Sequence, residues 1–225
     1  MNAVLECECL SKTFGRETLA EKVLEDVSLS LHRGEACVLL GPSGSGKTTL
    51  LSILGCLLTP SGGELRIQNQ RVDFQSLSQL TALRRHHLGF VFQRPQLLPF
   101  LSLEENLRIV GKNAGLPEVD LTDRLDQILD TLGVSHLRHR MPTEASGGQC
   151  ERVGVARALL HRPSVVLADE PTAALDWPCG EAVMRLLTQQ ARRENALLFV
   201  VTHDQRLVPM FDRVFSMVVG RIEEQ

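Results

Sequence analysis

The stretch "ACVLLGPSGSGKTTLLSIL", residues 36–54, decides the fold of this chain. Its first five residues are all apolar, which is typical of a strand buried on both faces of a parallel sheet. The run stops at Gly41, and a helix is predicted from Lys47. Its buried side is expected to carry Leu50, Leu51, Ile53 and Leu54. Between strand and helix, "GPSGSGKTT" (41–49) matches the pattern G-x-x-x-x-G-K-[ST]. The sequence therefore predicts a strand, a glycine-rich phosphate-binding loop and a helix in succession.

The glycine-rich loop is a predicted site for a nucleoside triphosphate. Glycines allow backbone N–H groups to surround a phosphate chain, and the N-terminus of the following helix adds a favourable dipole. We expect Lys47 to reach the outer phosphates and the Thr48 hydroxyl to bind Mg²⁺. The candidate nucleotide-binding residues of the loop are Gly41, Pro42, Ser43, Gly44, Ser45, Gly46, Lys47, Thr48 and Thr49.

A second apolar run, "VVLADE" (165–170), places two adjacent carboxylates at the end of a predicted strand. Ligands of open α/β sheets bind at the C-terminal ends of the strands. Asp169 can hold the Mg²⁺ shell there, and Glu170 can orient or deprotonate a water molecule. Two carboxylates alone are more typical of a solvated turn. Together with the phosphate loop they predict hydrolysis of a nucleoside triphosphate.

Strand and helix patterns alternate in the outer parts of the chain, which predicts a mainly parallel α/β sheet. The middle of the chain is instead helical, with apolar residues at helical spacing at Leu121, Leu125, Ile128, Leu129 and Leu132. We expect one domain over residues 1–225. Residues 1–93 and 163–225 would form an α/β core with a β subdomain, and residues 94–162 a helical subdomain. The expected fold class is α/β: a P-loop NTPase core with a mainly parallel sheet, an antiparallel β subdomain and an inserted helical subdomain.

The composition indicates a soluble globular chain without a nucleic-acid partner. The 225 residues are 43% hydrophobic and 23% charged, and the net charge is -3. The N-terminus has no apolar run of signal-peptide length, and no segment approaches the ~18 apolar residues of a membrane-spanning helix. We therefore expect a cytoplasmic chain, or one that reaches a membrane through a partner.

The six cysteines are scattered and form no C-x-x-C pair, which favours reduced thiols over a zinc site. Cys7 and Cys9 are predicted to share one face of a strand, since side chains two residues apart point to the same side. The alternative of a metal site at His136 and His139 lacks a third ligand within sequence reach.

Four further motifs, in this order, resemble the ATP-binding cassette (ABC) ATPases: "GFVFQ" (89–93), "SGGQ" (146–149), "AALD" (173–176) and "VVTHD" (200–204). The resemblance extends from about Val4 to Ile222. It implies that Gln93 contacts Mg²⁺ and the attacking water, and that His203 contacts the γ-phosphate. It also implies that Asp176 crosses to a second subunit. Phe14 stands where the family has an aromatic residue, usually Tyr, that stacks on adenine. The alternative is that Phe14 is an aromatic residue of a loop that only packs against its neighbours.

The stretch "EASGGQCERVGVARAL" (144–159) allows two interpretations. The resemblance implies that Ser146, Gly147, Gly148 and Gln149 bind the γ-phosphate held by the other subunit. Ser146 and Gln149 also have the spacing of a helix capping box. Ala145, Cys150 and Glu151 depart from the usual family residues. We expect Glu151 to point away from an incoming phosphate, and an exposed Cys150 would be a target for thiol modification.

The resemblance implies an ATP-hydrolysing motor subunit with ATP and Mg²⁺ as ligands. Its expected partners are a second cassette, as a homodimer, and a separate integral-membrane permease, which would place the chain on the inner face of the cell membrane. Longer stretches such as "LRRHHLGFVFQRPQLLPFLSLEENL" (83–107) are similar to the subgroup serving lipoprotein release, macrolide export and glycolipid export. Two alternatives remain open: a cell-division ATPase that regulates a membrane partner without transport, and a soluble cassette acting on DNA or ribosomes.

Overall fold

The computed structural model describes residues 3–15 and 20–225, and its strands form two sheets. Along the described residues the strands are β1 (Leu5–Phe14), β2 (Glu21–Leu31), β3 (Ala36–Leu40), β4 (Gly62–Ile67), β5 (Gln70–Arg71), β6 (Leu88–Val91), β7 (Val165–Asp169), β8 (Leu197–Val201), β9 (Arg213–Val218) and β10 (Arg221–Glu224). The helices are α1 (Lys47–Leu54), α2 (Leu77–His86), α3 (Leu103–Asn113), α4 (Glu118–Thr131), α5 (Gly147–Leu159) and α6 (Trp177–Arg193). Short 3₁₀ helices occur at Ser135–Leu137, Pro142–Glu144 and Gln205–Met210.

The larger sheet has the order β10-β9-β3-β8-β7-β6 and forms the centre of the molecule. Its pairs are parallel except at the edge, where β10 runs antiparallel to β9. All five residues of β8 are fully buried, as expected of a central strand covered on both faces. Parallel pairing brings the C-terminal ends of β3, β6, β7 and β8 to one edge of the sheet.

The smaller sheet is antiparallel, in the order β2-β1-β4-β5. Its apolar face packs with α1 onto one side of the larger sheet, in a single cluster that includes Leu5, Leu24, Leu50, Leu65 and Leu167. This is the antiparallel β subdomain that the sequence predicts. The predicted buried side of α1 is also confirmed, because Leu50, Leu51, Ile53 and Leu54 are all at most 5% exposed.

The prediction that Cys7 and Cys9 share a face is wrong. Cys7 is buried and Cys9 is exposed. The register between β1 and β2 shifts between Cys7 and Leu10, and Cys9 has a positive φ of 49°. A β-bulge of this kind interrupts the alternation of side chains, so the spacing of two residues no longer fixes the face.

The segment between β6 and β7 carries α3, α4 and α5, which cover the other side of the larger sheet together with α6. α5 approaches β6 closely: a Cβ added at Gly89 would lie 2.2 Å from the carbonyl oxygen of Ala158. Only glycine allows this contact, so it fixes α5 against the strand that leads to Gln93. The division of the chain at residues 93–94 and 162–163 stays a prediction.

α6 begins at Trp177, and the Asp176 carboxylate accepts a hydrogen bond from the Cys179 amide and caps the helix. Leu77 begins α2 but is exposed, while Leu80 and Leu83 are buried. None of the helices in the described part of the chain is both long enough and apolar enough to cross a bilayer.

Candidate functional site

The glycine-rich loop connects β3 to α1 at the C-terminal edge of the larger sheet. Gly46 is the N-cap of α1 with φ 106°, and no side chain caps the helix. The first-turn amides of α1 therefore remain available to an anion. Gly41 and Gly46 also meet backbone, because added Cβ atoms would lie 2.5 Å from the Met217 carbonyl oxygen and 2.8 Å from that of Val23. Packing inside the chain thus accounts for the glycines at 41 and 46, besides the predicted phosphate binding.

Lys47 is held at the wall of this loop, with only 8% of the residue exposed. Its ammonium donates hydrogen bonds to the carbonyl oxygens of Gly41 and Pro42, both at 2.8 Å. The Ser45 hydroxyl is buried and has no hydrogen-bond partner among the described residues. An ammonium, an unused hydroxyl and uncapped helix amides are the donors that a phosphate chain accepts from, so the loop fits a triphosphate.

Thr48 and Asp169 form the predicted metal-binding pair. The Thr48 hydroxyl donates to Oδ1 of Asp169 at 3.2 Å, which joins the start of α1 to the end of β7. A hydroxyl and a carboxylate are hard oxygen donors of the kind that Mg²⁺ binds next to phosphates. Burial raises the pKa of Asp169, while the Thr48 hydrogen bond acts in the opposite direction. This donor set fits Mg²⁺.

Glu170 follows β7 in an unusual backbone conformation, with φ 47°. Its amide donates to the Val201 carbonyl oxygen at 2.9 Å. Its two carboxylate oxygens accept from the Thr202 hydroxyl at 3.1 Å and from Nδ1–H of His203 at 2.8 Å. A non-glycine residue with positive φ costs of order 1–3 kcal/mol and is kept where the surroundings fix it. The carboxylate is therefore held in one orientation beside the phosphate loop.

A cleft of about 480 Å³ brings nine of the predicted site residues together. It is lined by Val23, Ser43, Gly44, Gly46, Lys47, Thr48, Thr49, Gln93, Glu170, Val201 and His203. The three predicted catalytic residues, Glu170, His203 and Gln93, thus face the same space as the phosphate loop. Sequence reasoning missed Thr202, which is fully buried, although it stands in the "VVTHD" motif next to His203.

Phe14 and Asp176 are among the predicted residues that do not line this cleft. Phe14 is 42% exposed and does not line the cleft; the Lys12 ammonium lies 5.0 Å from its ring centroid. The Phe14 ring therefore makes a cation–π contact with a residue of its own strand. The Asp176 carboxylate caps α6, and the residue lines a separate cavity together with Glu170 and His203. The adenine-stacking role of Phe14 and the subunit-crossing role of Asp176 stay predictions.

The turn at Ser146 is a helix cap, as the spacing predicts. The Gln149 amide donates to the Ser146 hydroxyl at 3.3 Å, and the Ser146 amide donates to Oε1 of Gln149 at 2.8 Å. A Cβ added at Gly148 would lie 2.5 Å from Sγ of Cys179, whereas one added at Gly147 would meet no described atom within 4 Å. Packing inside the chain therefore explains the glycine at 148 but not the glycine at 147.

A protein-family model described as "ABC transporter" matches residues 24–173. The chain belongs to the ABC transporter family. Its predicted fold class, and its identification as an ATP-hydrolysing cassette, are confirmed at the level of the family.

Three relatives show how far the likeness of this cassette extends. The macrolide export ATP-binding/permease protein MacB of Photorhabdus laumondii is 41% identical over 222 residues, which are 99% of this chain and 34% of that protein. A putative hemin import ATP-binding protein of Staphylococcus haemolyticus is 37% identical over 97% of this chain and 99% of its own length. The dimeric post-hydrolysis structure of the ATP-binding cassette MJ0796, bound to ADP and Pi, has a TM-score of 0.89 at 33% identity, with 98% and 97% of the two chains covered. The cassette thus spans about a third of the length of the macrolide-export relative.

The two unusual residues after the Ser146 turn point into the cassette. Glu151 is 3% exposed, so its carboxylate does not face the surface beside Ser146. Cys150 is half-buried, with its Sγ 3.5 Å from the Pro142 carbonyl oxygen, and burial raises the pKa of its thiol. A raised pKa lowers the thiolate fraction, which disfavours the thiol modification considered from the sequence.

Burial raises the pKa of Glu151 to about 7, with Arg157 acting in the opposite direction. No hydrogen bond or ion pair within 4.0 Å involves its side chain in the described residues. The folded chain therefore binds this proton more tightly than the unfolded chain, in which a Glu pKa is ~4.3. Linkage then requires that the contribution of Glu151 to stability falls as the pH rises from ~4.3 to ~7 and stays lost above that range.

We accordingly predict that Glu151→Gln stabilises the cassette, and more so at alkaline than at acidic pH. Thermal melts of both proteins at about pH 5 and about pH 8 measure the effect, because the Gln side chain loses no stability on deprotonation. Glu223→Gln, at an exposed position of β10, is the control and should change the melting temperature little at either pH. An equal shift in melting temperature at both pH values would contradict a raised pKa of Glu151.

Proposed function

We propose that the cassette is the motor subunit of an ABC transporter: it closes with a second cassette around two ATP molecules and drives a separate membrane permease. The observation that supports this best is the fixed Glu170 carboxylate, oriented by Thr202 and His203 at the wall of the phosphate-loop cleft. Such an arrangement suits a water molecule attacking the γ-phosphate.

The residues of the cleft have distinct parts in hydrolysis. Lys47 would neutralise charge on the outer phosphates, and Glu170 would orient the attacking water and accept its proton. Thr48 and Asp169, with Gln93, would hold Mg²⁺, which neutralises phosphate charge when bound. His203, next to Glu170, would contact the γ-phosphate. The Glu170 carboxylate needs no rearrangement for its part, because its backbone and both oxygens are already fixed.

The second subunit is proposed from the Ser146 turn. This turn does not line the cleft of its own chain, and Gly147 has open space at its Cα. A glycine that internal packing does not require is explained if the phosphate of another copy approaches the backbone there. Two copies arranged head to tail would then complete two ATP sites, as a homodimer. The solved dimeric relative is consistent with this arrangement.

The membrane partner is proposed from the helical insertion. Phe100 is 71% exposed and Leu98 is 40% exposed, both a few residues after Gln93. Large exposed apolar side chains close to a catalytic residue suit a partner that senses the nucleotide state. The similarity to a macrolide-export protein favours an export or release system on the inner face of the cell membrane. A division-type ATPase, which would hold a membrane partner without transport, remains the alternative.

Replacing Glu170 tests the hydrolytic site. We predict that Glu170→Gln lowers ATP turnover roughly 10²–10⁴-fold, because the proton acceptor is lost, while ATP binding persists. The variant should accumulate as an ATP-bound dimer in size-exclusion chromatography. Glu181→Gln, the same change at an ion pair on the surface of α6, is the control and should hydrolyse ATP normally. Normal turnover by Glu170→Gln would refute the assignment.

Replacing Ser146 separates its capping role from phosphate binding. Asp caps helices as well as Ser does, so Ser146→Asp should keep the melting temperature of the chain. Its negative charge would repel the γ-phosphate, so ATP-driven dimerisation in a Glu170→Gln background should be lost. Ser76→Asp, at the N-cap of α2, is the matched control and should dimerise. If Ser146→Asp dimerises as readily as its control, the turn does not bind phosphate across the interface.

Replacing Phe100 tests the membrane partner. Phe100→Glu should leave folding and ATP turnover of the isolated cassette unchanged, since the side chain is already exposed. It should reduce the amount of tagged cassette that co-sediments with membranes and co-purifies with a multi-span protein. Val119→Glu, at another exposed apolar residue of the helical insertion that is 74% exposed, is the control. Equal loss in both variants would argue against a specific contact at Phe100.

A further inference from the structure

The first turn of α3 lies between the chain segments that carry Gln93 and Ser146. It contains two buried polar residues, Glu104 and Asn106, which are 8% and 4% exposed. Neither lines the cleft of the phosphate loop. Buried polar groups are costly unless they are hydrogen-bonded, so their partners indicate why they are there.

Asn106 holds the segment that follows Gln93. Its Oδ1 accepts from the Leu98 amide at 2.7 Å. Its Nδ2, which carries two hydrogens, lies within hydrogen-bond distance of three carbonyl oxygens of the same segment, those of Leu98 at 3.1 Å, Leu101 at 3.1 Å and Ser102 at 2.9 Å. A single side chain thereby fixes the backbone from Leu98 to the start of α3.

Glu104 holds the segment that precedes Ser146. One carboxylate oxygen accepts from Nε of Arg138 at 2.6 Å, and the other accepts from Nε of Arg108 at 2.7 Å. The hydrogen bond from Arg138 keeps the pKa of Glu104 below its usual value despite burial, so the carboxylate is charged at neutral pH.

The backbone of α3 adds to this connection. The amides of Leu103 and Glu104 donate to the carbonyl oxygens of Arg140 and Arg138, both at 2.9 Å. These are orphan amides of a helix N-terminus, which need partners from outside the helix. The segment around Arg138–Arg140 therefore supplies acceptors for two amides at the N-terminus of α3. It leads through a short 3₁₀ helix to Ser146.

A second set of contacts joins the segment after Gln93 directly to α5. Nη1 of Arg157 donates to the Gln96 carbonyl oxygen at 2.8 Å. A Cβ added at Gly154 would lie 3.3 Å from Cβ of Pro95. The segment after Gln93 is thus held by α3 on one side and by α5, the helix that Ser146 caps, on the other.

We propose that Glu104 and Asn106 are positioning residues that hold the Ser146 turn at a fixed place relative to the segment after Gln93, so that the two move as one unit. This rests on the proposed function, in which Ser146 binds ATP across the dimer. The consequence for the site is that the turn is already in place when the ATP of the other subunit approaches it.

Hydrogen exchange of the free cassette tests whether the two segments are one unit. Asn106→Ala removes bonds to residues 98–102 only. We expect faster amide exchange there and also, by roughly 3- to 30-fold, over residues 142–150, which Asn106 does not contact. Faster exchange confined to residues 98–102 would overturn the proposal. Arg124→Gln, which removes a different polar link between α4 and the end of α5, is the control and should leave residues 142–150 unchanged.

Dimerisation tests the consequence for the site. In a Glu170→Gln background, Glu104→Gln should leave the affinity of the monomer for a fluorescent ATP analogue unchanged and weaken ATP-driven dimerisation roughly 3- to 30-fold. Glu104→Asp, which keeps the charge, should restore part of it. If Glu104→Gln weakens both the ATP affinity of the monomer and dimerisation, the positioning role is overturned. It is also overturned if neither changes. If the Glu170→Gln parent itself does not dimerise, the proposed function fails, and exchange alone decides the role of Glu104 and Asn106.

Discussion

The parallel pairing of β8 with both β3 and β7 is the constraint on which the site depends. Val201, at the end of β8, stands in register with Leu39 on one side and Asp169 on the other. Chain segments that are far apart in sequence therefore end at the same level. One or two residues further on, each segment carries its part of the candidate site: the phosphate loop after β3, Glu170 after β7, and Thr202 with His203 after β8. A shift of this register would separate the carboxylate from both side chains that orient it.

The Ser146 turn shows that capping and phosphate binding are compatible. The hydroxyl oxygen accepts from the Gln149 amide, which leaves the hydroxyl hydrogen free, because a serine hydroxyl is at once a donor and an acceptor. From the sequence alone, capping and phosphate binding were two interpretations of the same turn. In the folded chain the cap fixes the oxygen, and the hydrogen and the exposed Gly147 backbone remain available. Capping thus prepares the turn for an anion rather than opposing it.

The sequence predicted those features that depend on local spacing. The strand, loop and helix over residues 36–54 and the capping box at Ser146 each follow from residues within a few positions of one another. Features set by tertiary contact were out of reach. The bulge at Cys9 arises from pairing with β2. The buried hydroxyl of Thr202 has a role in the candidate site only because the fold brings it to the Glu170 carboxylate. The positive φ of Glu170 likewise follows from its amide bonding to β8 rather than from its residue type.

The contacts of α5 differ in kind from those of the segment before it. Near the C-terminal end of α5 the backbone of Ala158 lies against Gly89 with no room for a Cβ, so that contact cannot slide without breaking the packing. The segment before α5 is held instead by polar contacts to α3, among them the ion pair between Arg138 and Glu104. Polar links of this kind have alternative partners in water, whereas a close-packed backbone contact has none. A displacement of the segment before Ser146 would therefore rearrange polar links while the contact at Gly89 stayed in place.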